Sequence, residues 1–229
     1  MTIVYLTGQT ILFIPAWHKT YSGICMGEKN YTGLIPEQRE GKRITAEASA
    51  SFTTDEEAKT FYHTAKQRLL FIHNWGKIAG KLSADFQLTD NNGKEVDRLA
   101  QKGDHFRIDI TGPGSKAGEG YDWARVEDVR EVNEAGVDSI AILVRPDANP
   151  QTQNPNVAHF FSEKSTSTFV VTREGNTVTA SIYDRNIEAN EETKEPLDKF
   201  RNAVVGLGAK HGLSKLQWQA LVDAFVKNE

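Results

Sequence analysis

The sequence has one cysteine, Cys25, among 229 residues. An intramolecular disulfide and a metal centre built on several thiolates are therefore excluded. Cations are in deficit: 27 Lys and Arg stand against 31 Asp and Glu, a formal charge of −4. Phosphate neutralisation needs a cationic surface, so no general nucleic-acid partner is expected. Long apolar runs are missing as well. No stretch reaches the roughly 20 residues of a membrane-spanning helix, so no transmembrane segment is expected. The start holds only two short runs, Ile3–Leu6 and Ile11–Ile14. It has no basic residue ahead of them and no small-residue cleavage pattern, a poor match to a secretory signal. A hairpin reads better there, and a cytoplasmic location is the default. No Gly-x-Ser-x-Gly elbow, His-Glu-x-x-His or Walker loop occurs. Gly112-Pro113-Gly114-Ser115-Lys116 leads into no helix and lacks the Gly-Lys-Ser/Thr ending of a phosphate loop. The six histidines show no ligand spacing, so neither a metal nor a cofactor is expected.

What is present suits a packed domain: 38% apolar and 25% charged residues. Residues 1–43 read as an N-terminal extension, the hairpin followed by a loop poor in apolar side chains. They carry five basic and three acidic residues. As an exposed edge the hairpin would pack on the body or on a second copy, a possible homodimer contact. The body spans 44–229. Ile44, Ala46, Ala48, Ala50 and Phe52 alternate with polar residues, a strand with one small-residue face. Thr54 and Glu57 form a capping box, and Ala58, Phe61, Ala65, Leu69 and Ile72 follow at helical spacing. Asn74-Trp75-Gly76 ends that helix, and Lys77–Gly80 adds a turn.

Six strands follow: Leu82–Leu88, Phe106–Ile110, Trp123–Val132, Ser139–Val144, Thr166–Arg173 and Thr177–Asp184. In the third, Val126 and Val129 are three apart, which predicts a bulge or a buried charge. Gly175-Asn176 forms a two-residue turn that sets Phe169 opposite Ile182 and Val171 opposite Ala180. Near the C-terminus Ser214 and Gln217 make a second capping box. Trp218, Leu221, Val222 and Phe225 then form an apolar stripe.

Sequential strands joined by short turns imply an antiparallel sheet, because parallel pairs need long crossovers. The expected class is α+β: a seven-stranded antiparallel sheet gripping a C-terminal helix, with an N-terminal extension. This order of elements, over residues 44–228, resembles the helix-grip fold of the START-like superfamily. That superfamily includes polyketide cyclases, plant pathogenesis-related ligand binders and lipid-transfer domains. The resemblance implies a cavity between the sheet and the C-terminal helix, walled in part by the alanine face and by Trp218. It carries no residue roles, since no chemical motif accompanies it.

Candidate contacts come from polar and aromatic residues in or beside the strands: Trp123, Arg125, Glu127, Arg145, His159, Tyr183, Asp184, Arg185 and Asn186. Arg125 and Glu127 share a face with Trp123, and a buried Arg would take Glu127 or Asp184 as its partner. The expected ligand-binding set is Trp123, Arg125, Glu127, His159, Tyr183, Arg185 and Trp218, and the partner a small apolar or amphipathic molecule such as a lipid. The competing reading is a solvated face with ordinary cross-strand ion pairs. An enzyme on the same fold would use His159 or Glu127 as acid or base on a bound carbonyl compound. A domain with a filled cavity would serve interaction alone.

Overall fold

The alternating pattern of Ile44–Phe52 forms strand β1 (Lys42–Ser51) in a computed structural model. The structure describes residues 28–80, 84–109, 115–190 and 210–228, with only the backbone of 210–214. The expected Ile3–Ile14 hairpin and its dimer contact lie outside these residues.

After β1 come α1 (Asp55–Leu70), a 3-10 turn (Ile72–Asn74) and α2 (Trp75–Ala79). The remaining strands are β2 (Asp85–Thr89), β3 (His105–Asp109), β4 (Asp122–Glu134), β5 (Val137–Pro146), β6 (Thr166–Glu174) and β7 (Thr177–Ile187). Helix α3 (Lys210–Phe225) closes the chain. The seven strands make one sheet in the order β1-β7-β6-β5-β4-β3-β2, every pair antiparallel. The three helices lie on one face of it. This is the helix-grip arrangement that the element order predicts.

Local chemistry explains the elements. The Thr54 hydroxyl accepts the Glu57 N–H at 3.2 Å, and the Glu57 carboxylate accepts the Thr54 N–H at 3.2 Å. A cap of this kind is worth about 1 kcal/mol. The β6–β7 register matches the sequence reading: Phe169 pairs with Ile182 and Val171 with Ala180. Gly175 in the connecting turn has φ +55°, which favours glycine there. Between Val126 and Asp128 the β4–β5 register shifts and leaves Glu127 without a partner. This is the expected bulge, and it keeps Val126 and Val129 on the core side.

The core gathers on Trp75. Its ring is fully buried against Phe86, Phe106, Phe169 and Phe225, with centroids 4.6–6.1 Å away. Its Nε1–H donates to the Arg68 and Leu69 carbonyls, both at 3.1 Å, so the indole is buried without a stranded donor. Arg68 also reaches the end of α3, donating to the Ala224, Phe225 and Lys227 carbonyls at 3.3, 3.2 and 2.6 Å. A cation on these terminal carbonyls fixes the C-terminus of α3 against α1.

Two expectations are corrected. Helix α3 starts at Lys210, so Ser214 lies inside it and is not its N-cap. The alanines of β1 are not among the residues lining the cavity under α3. Ala46 belongs to the core and half-buried Ala48 and Ala50 pack against it, where their small side chains let α3 lie close on β1.

The other face of the sheet is covered too. Residues 28–41 cross it without regular structure. Leu34 and Ile35 pack on Ala141, Val170 and Tyr183. The Asn186 side chain accepts the Arg39 and Glu40 N–H groups at 2.8 and 3.2 Å and donates to the Glu37 carbonyl at 3.1 Å.

Candidate ligand cavity

Strand alternation sends Phe86, Phe106, Ala124, Val144 and Phe169 toward the helices. Together with Trp218 of α3 and the 159–161 turn they enclose a cavity of about 70 Å³. This is smaller than the space a drug-sized ligand needs. Drug-sized ligands occupy about 300–1,000 Å³. The lining is mostly apolar and strongly aromatic. Trp218 meets Phe169 edge to face, with ring centroids 5.5 Å apart. At the 159–161 turn, His159 stacks on Phe160 at 4.4 Å, and Phe160 meets Phe161 at 4.3 Å.

One sector is polar: His159, Ser165, Thr166, Ser167 and Gln217. The His159 Nδ1 accepts the Phe161 N–H at 2.9 Å, which fixes the ring across the cavity mouth. The Asn190 side chain donates to the Val157 and His159 carbonyls, both at 3.0 Å, and ties this turn to the end of β7. The Thr166 Oγ1 is buried without a hydrogen-bond partner, but Thr166 pairs with Arg185 and alternates with Ser167, so its side chain is on the opposite face of the sheet.

Behind this sector lies Asp184. It follows Val178, Ala180 and Ile182 on the inward side of β7, and it is 1% exposed. Its carboxylate accepts the Ser167 hydroxyl at 2.6 Å and the Trp218 Nε1–H at 2.8 Å. Burial pushes its carboxyl up to about 6; the two hydrogen bonds and the Arg185 charge work against this and do not cancel it. The carboxylate thus joins β7, β6 and α3 at the cavity wall.

Of the seven expected contacts, His159 and Trp218 line the cavity. The other five are on the opposite face, and the expectation that they share the cavity is corrected. Trp123 is buried there with Ala117, Tyr121 and Ala158, and its Nε1–H donates to the Gly118 carbonyl at 3.3 Å. Gly118 is required by this fit, since a Cβ would stand 1.9 Å from the Tyr121 carbonyl oxygen. Arg125 and Glu127 do share a face with Trp123. Glu127 bridges Arg125 at 3.4 Å and Arg145 at 2.8 Å. Tyr183 lies under Leu34 and Ile35 and accepts the Lys29 N–H at 3.3 Å. Arg185 is ion-paired with Glu28 and lies over the Tyr183 ring at 5.2 Å. Asp184 lies behind the cavity wall, and Asn186 clamps the 37–40 loop. Phe86, Phe106 and Ala124 read in the sequence as ordinary core positions.

No metal-competent group of three His, Cys, Asp or Glu side chains occurs among the described residues. No described helix is long and apolar enough to cross a membrane.

No protein-family model matches the chain, and no curated protein matches its sequence. Solved structures with a similar chain path exist at low identity. The extracellular domain of PknH from Mycobacterium tuberculosis aligns at 10% identity and TM-score 0.33, over 78% of this chain and 61% of that domain. Protein Ms6760 from Mycobacterium smegmatis aligns at 15% identity and TM-score 0.35, over 82% of this chain and 96% of its own. The di-domain ARO/CYC BexL of the BE-7585A biosynthetic pathway aligns at 14% identity and TM-score 0.34, over 80% of this chain and 46% of its own. The helix-grip arrangement of this chain stands on its own strand order and on the seat of α3 against the sheet.

Proposed function

We propose that the chain is a small-molecule binding protein whose ligand enters the cavity between the sheet and α3. One observation carries the reading. An aromatic, apolar cavity has a polar sector, where His159 and Ser167 border it and a buried carboxylate backs the wall. Such a site favours a small apolar or amphipathic molecule, one ring or a short chain. Its apolar body would lie among Phe86, Phe106 and Phe169, with one hydrogen-bonding group toward Ser167 and His159. Glu127 faces away from this cavity and is engaged with Arg145, so an acid–base role for it there has no support.

The test is a binding screen with p-cresol, indole, short-chain alcohols and extracted cell lipids, read by thermal shift and amide NMR. The control is Ala124→Leu, which places extra methyl groups in the cavity. The reading predicts saturable binding to the wild type and at least about tenfold weaker binding to the variant, the order expected when a ligand group and a side chain compete for one volume. Absence of binding by every probe would favour the filled interaction domain. Equal binding by both proteins would place the ligand elsewhere.

A further inference from the structure

The opposite face of the sheet holds a second concave site. His105 alternates with the core residue Phe106 and therefore points away from α3. With Asp147, Asn149, Pro150, Thr152 and Pro155 it lines an open groove of about 280 Å³. Two groups there are buried and unpartnered: the His105 Nδ1, on a side chain in a residue 8% exposed, and the Asn149 Nδ2, in a residue 2% exposed. A polar atom shut away without a partner is unfavourable, which makes two in one groove unusual.

Both orientations are determined by their other contacts. The His105 Nε2 faces the Asp147 carboxylate at 3.1 Å, so it carries the ring proton. Burial works to raise the Asp147 carboxyl, but the hydrogen bonds from His105 and the Ala148 N–H and the Arg125 charge outweigh it and hold it below its ordinary value. With the Nε2 proton held against the ionised Asp147, Nδ1 is the acceptor of the ring in its neutral form. The Asn149 Oδ1 accepts the Gln151 N–H at 2.9 Å, so the amide nitrogen is the unpartnered end and offers donors. The loop is anchored, since the Gln151 side chain donates to the Gly93 carbonyl at 2.7 Å.

We propose that this groove binds a neutral ligand carrying a hydrogen-bond donor and an acceptor together, of which a primary carboxamide is the simplest form. The donor meets the His105 Nδ1, and the acceptor takes an N–H from Asn149. Charge selects against the alternatives. Among the described residues no Lys or Arg lines the groove to hold an anion, and the Asp147 carboxylate already accepts from His105 and lies 3.5 Å from Arg125. Pro150 and Pro155 offer apolar flanks to a ring bearing the amide. Gln153, which lines the groove and is exposed, is the residue such a ligand displaces.

The test titrates nicotinamide, and nicotinate as its anionic counterpart, into uniformly ¹⁵N-labelled protein. The readouts are the His105 imidazole nitrogens and the amides of residues 147–155. Saturable shifts with nicotinamide, and binding of nicotinate about tenfold weaker or less, are expected from the loss of one matched hydrogen bond. Asn149→Ala, on a surface loop, should weaken nicotinamide about tenfold for the same reason. Ala124→Leu should leave this binding unchanged, which separates the groove from the cavity beneath α3. His105→Phe can disturb the fold, so the comparison of the two probes on the wild type stands without it. Equal or tighter binding of nicotinate overturns the proposal. So do shifts confined to Phe86, Phe106 and Trp218, the absence of saturable shifts up to the solubility limit, or unaltered binding by Asn149→Ala.

Discussion

Replacing Asp184 by asparagine should make the protein more stable at pH 8 and leave it unaltered at pH 4. The carboxyl is buried, and its folded value is about 6 against an ordinary 3.8. Between those values the folded chain holds a proton that the unfolded chain has released. Stability therefore falls as pH rises through this window. Each pH unit is worth about 1.4 kcal/mol, so ionising Asp184 in place costs roughly 3 kcal/mol by pH 7. Asparagine has the same shape. Its amide oxygen accepts the Trp218 N–H, and its amide N–H donates to the Ser167 oxygen. The variant should match the wild type within about 1 kcal/mol at pH 4, where Asp184 is protonated in the fold. At pH 8 it should be ahead by roughly 3 kcal/mol, or about 6–12 °C in melting temperature for a chain of this size. Urea denaturation of both proteins from pH 4 to 8 measures this, and subtracting the curves cancels every other titrating group. A flat difference, or a variant less stable at pH 8, would show that Ser167 and Trp218 fully compensate the buried charge, and the reasoning would fail.

Trp218→Phe keeps the ring on Phe169 but removes one donor from Asp184. It should destabilise by about 1–3 kcal/mol, and more at pH 8 than at pH 4, in the same urea series. Ala48→Leu and Ala124→Leu add the same atoms to opposite sides of the core. The first should be unfavourable by about 1–3 kcal/mol through overpacking between β1 and α3, the second by clearly less because the cavity receives it; equal losses in thermal melts would contradict the cavity. Removing residues 1–43 uncovers Ala141, Val170 and Tyr183 and leaves Arg185 without Glu28. The remaining chain should still melt cooperatively, but at a lower temperature, and an unchanged melt would show that residues 28–41 add nothing.

The hairpin of β6 and β7 was legible because a two-residue turn and two consistent faces specify one register. Helix α1 was legible because its cap and its apolar spacing agree. The site was harder to read. Alternation shows which residues share a face but not which face meets the helices, and here both faces are covered. Trp123 and Tyr183 are as buried as core residues, yet they lie beneath loops. Asp184 carried a usable signal, since it falls in phase with Val178, Ala180 and Ile182 and so had to point inward. A cavity leaves no such mark. It is a shortfall of volume summed over several apolar residues, none of which differs from a packed one. The groove at His105 was equally hidden, because its members come from β3 and from a loop some forty positions later.

The unpaired residue of β4 bends the sheet. Removing Glu127 would let Val126 and Asp128 follow one another in the ladder with Val126 and Val129 still facing inward. The content of the core would be unchanged, but the bend that a bulge imposes would be relaxed. Curvature is in this way separable from composition. A single-residue excision would flatten the sheet beneath α3 while sparing the side chains that contact it, and the resulting change in cavity volume would measure how much of that space belongs to the bend.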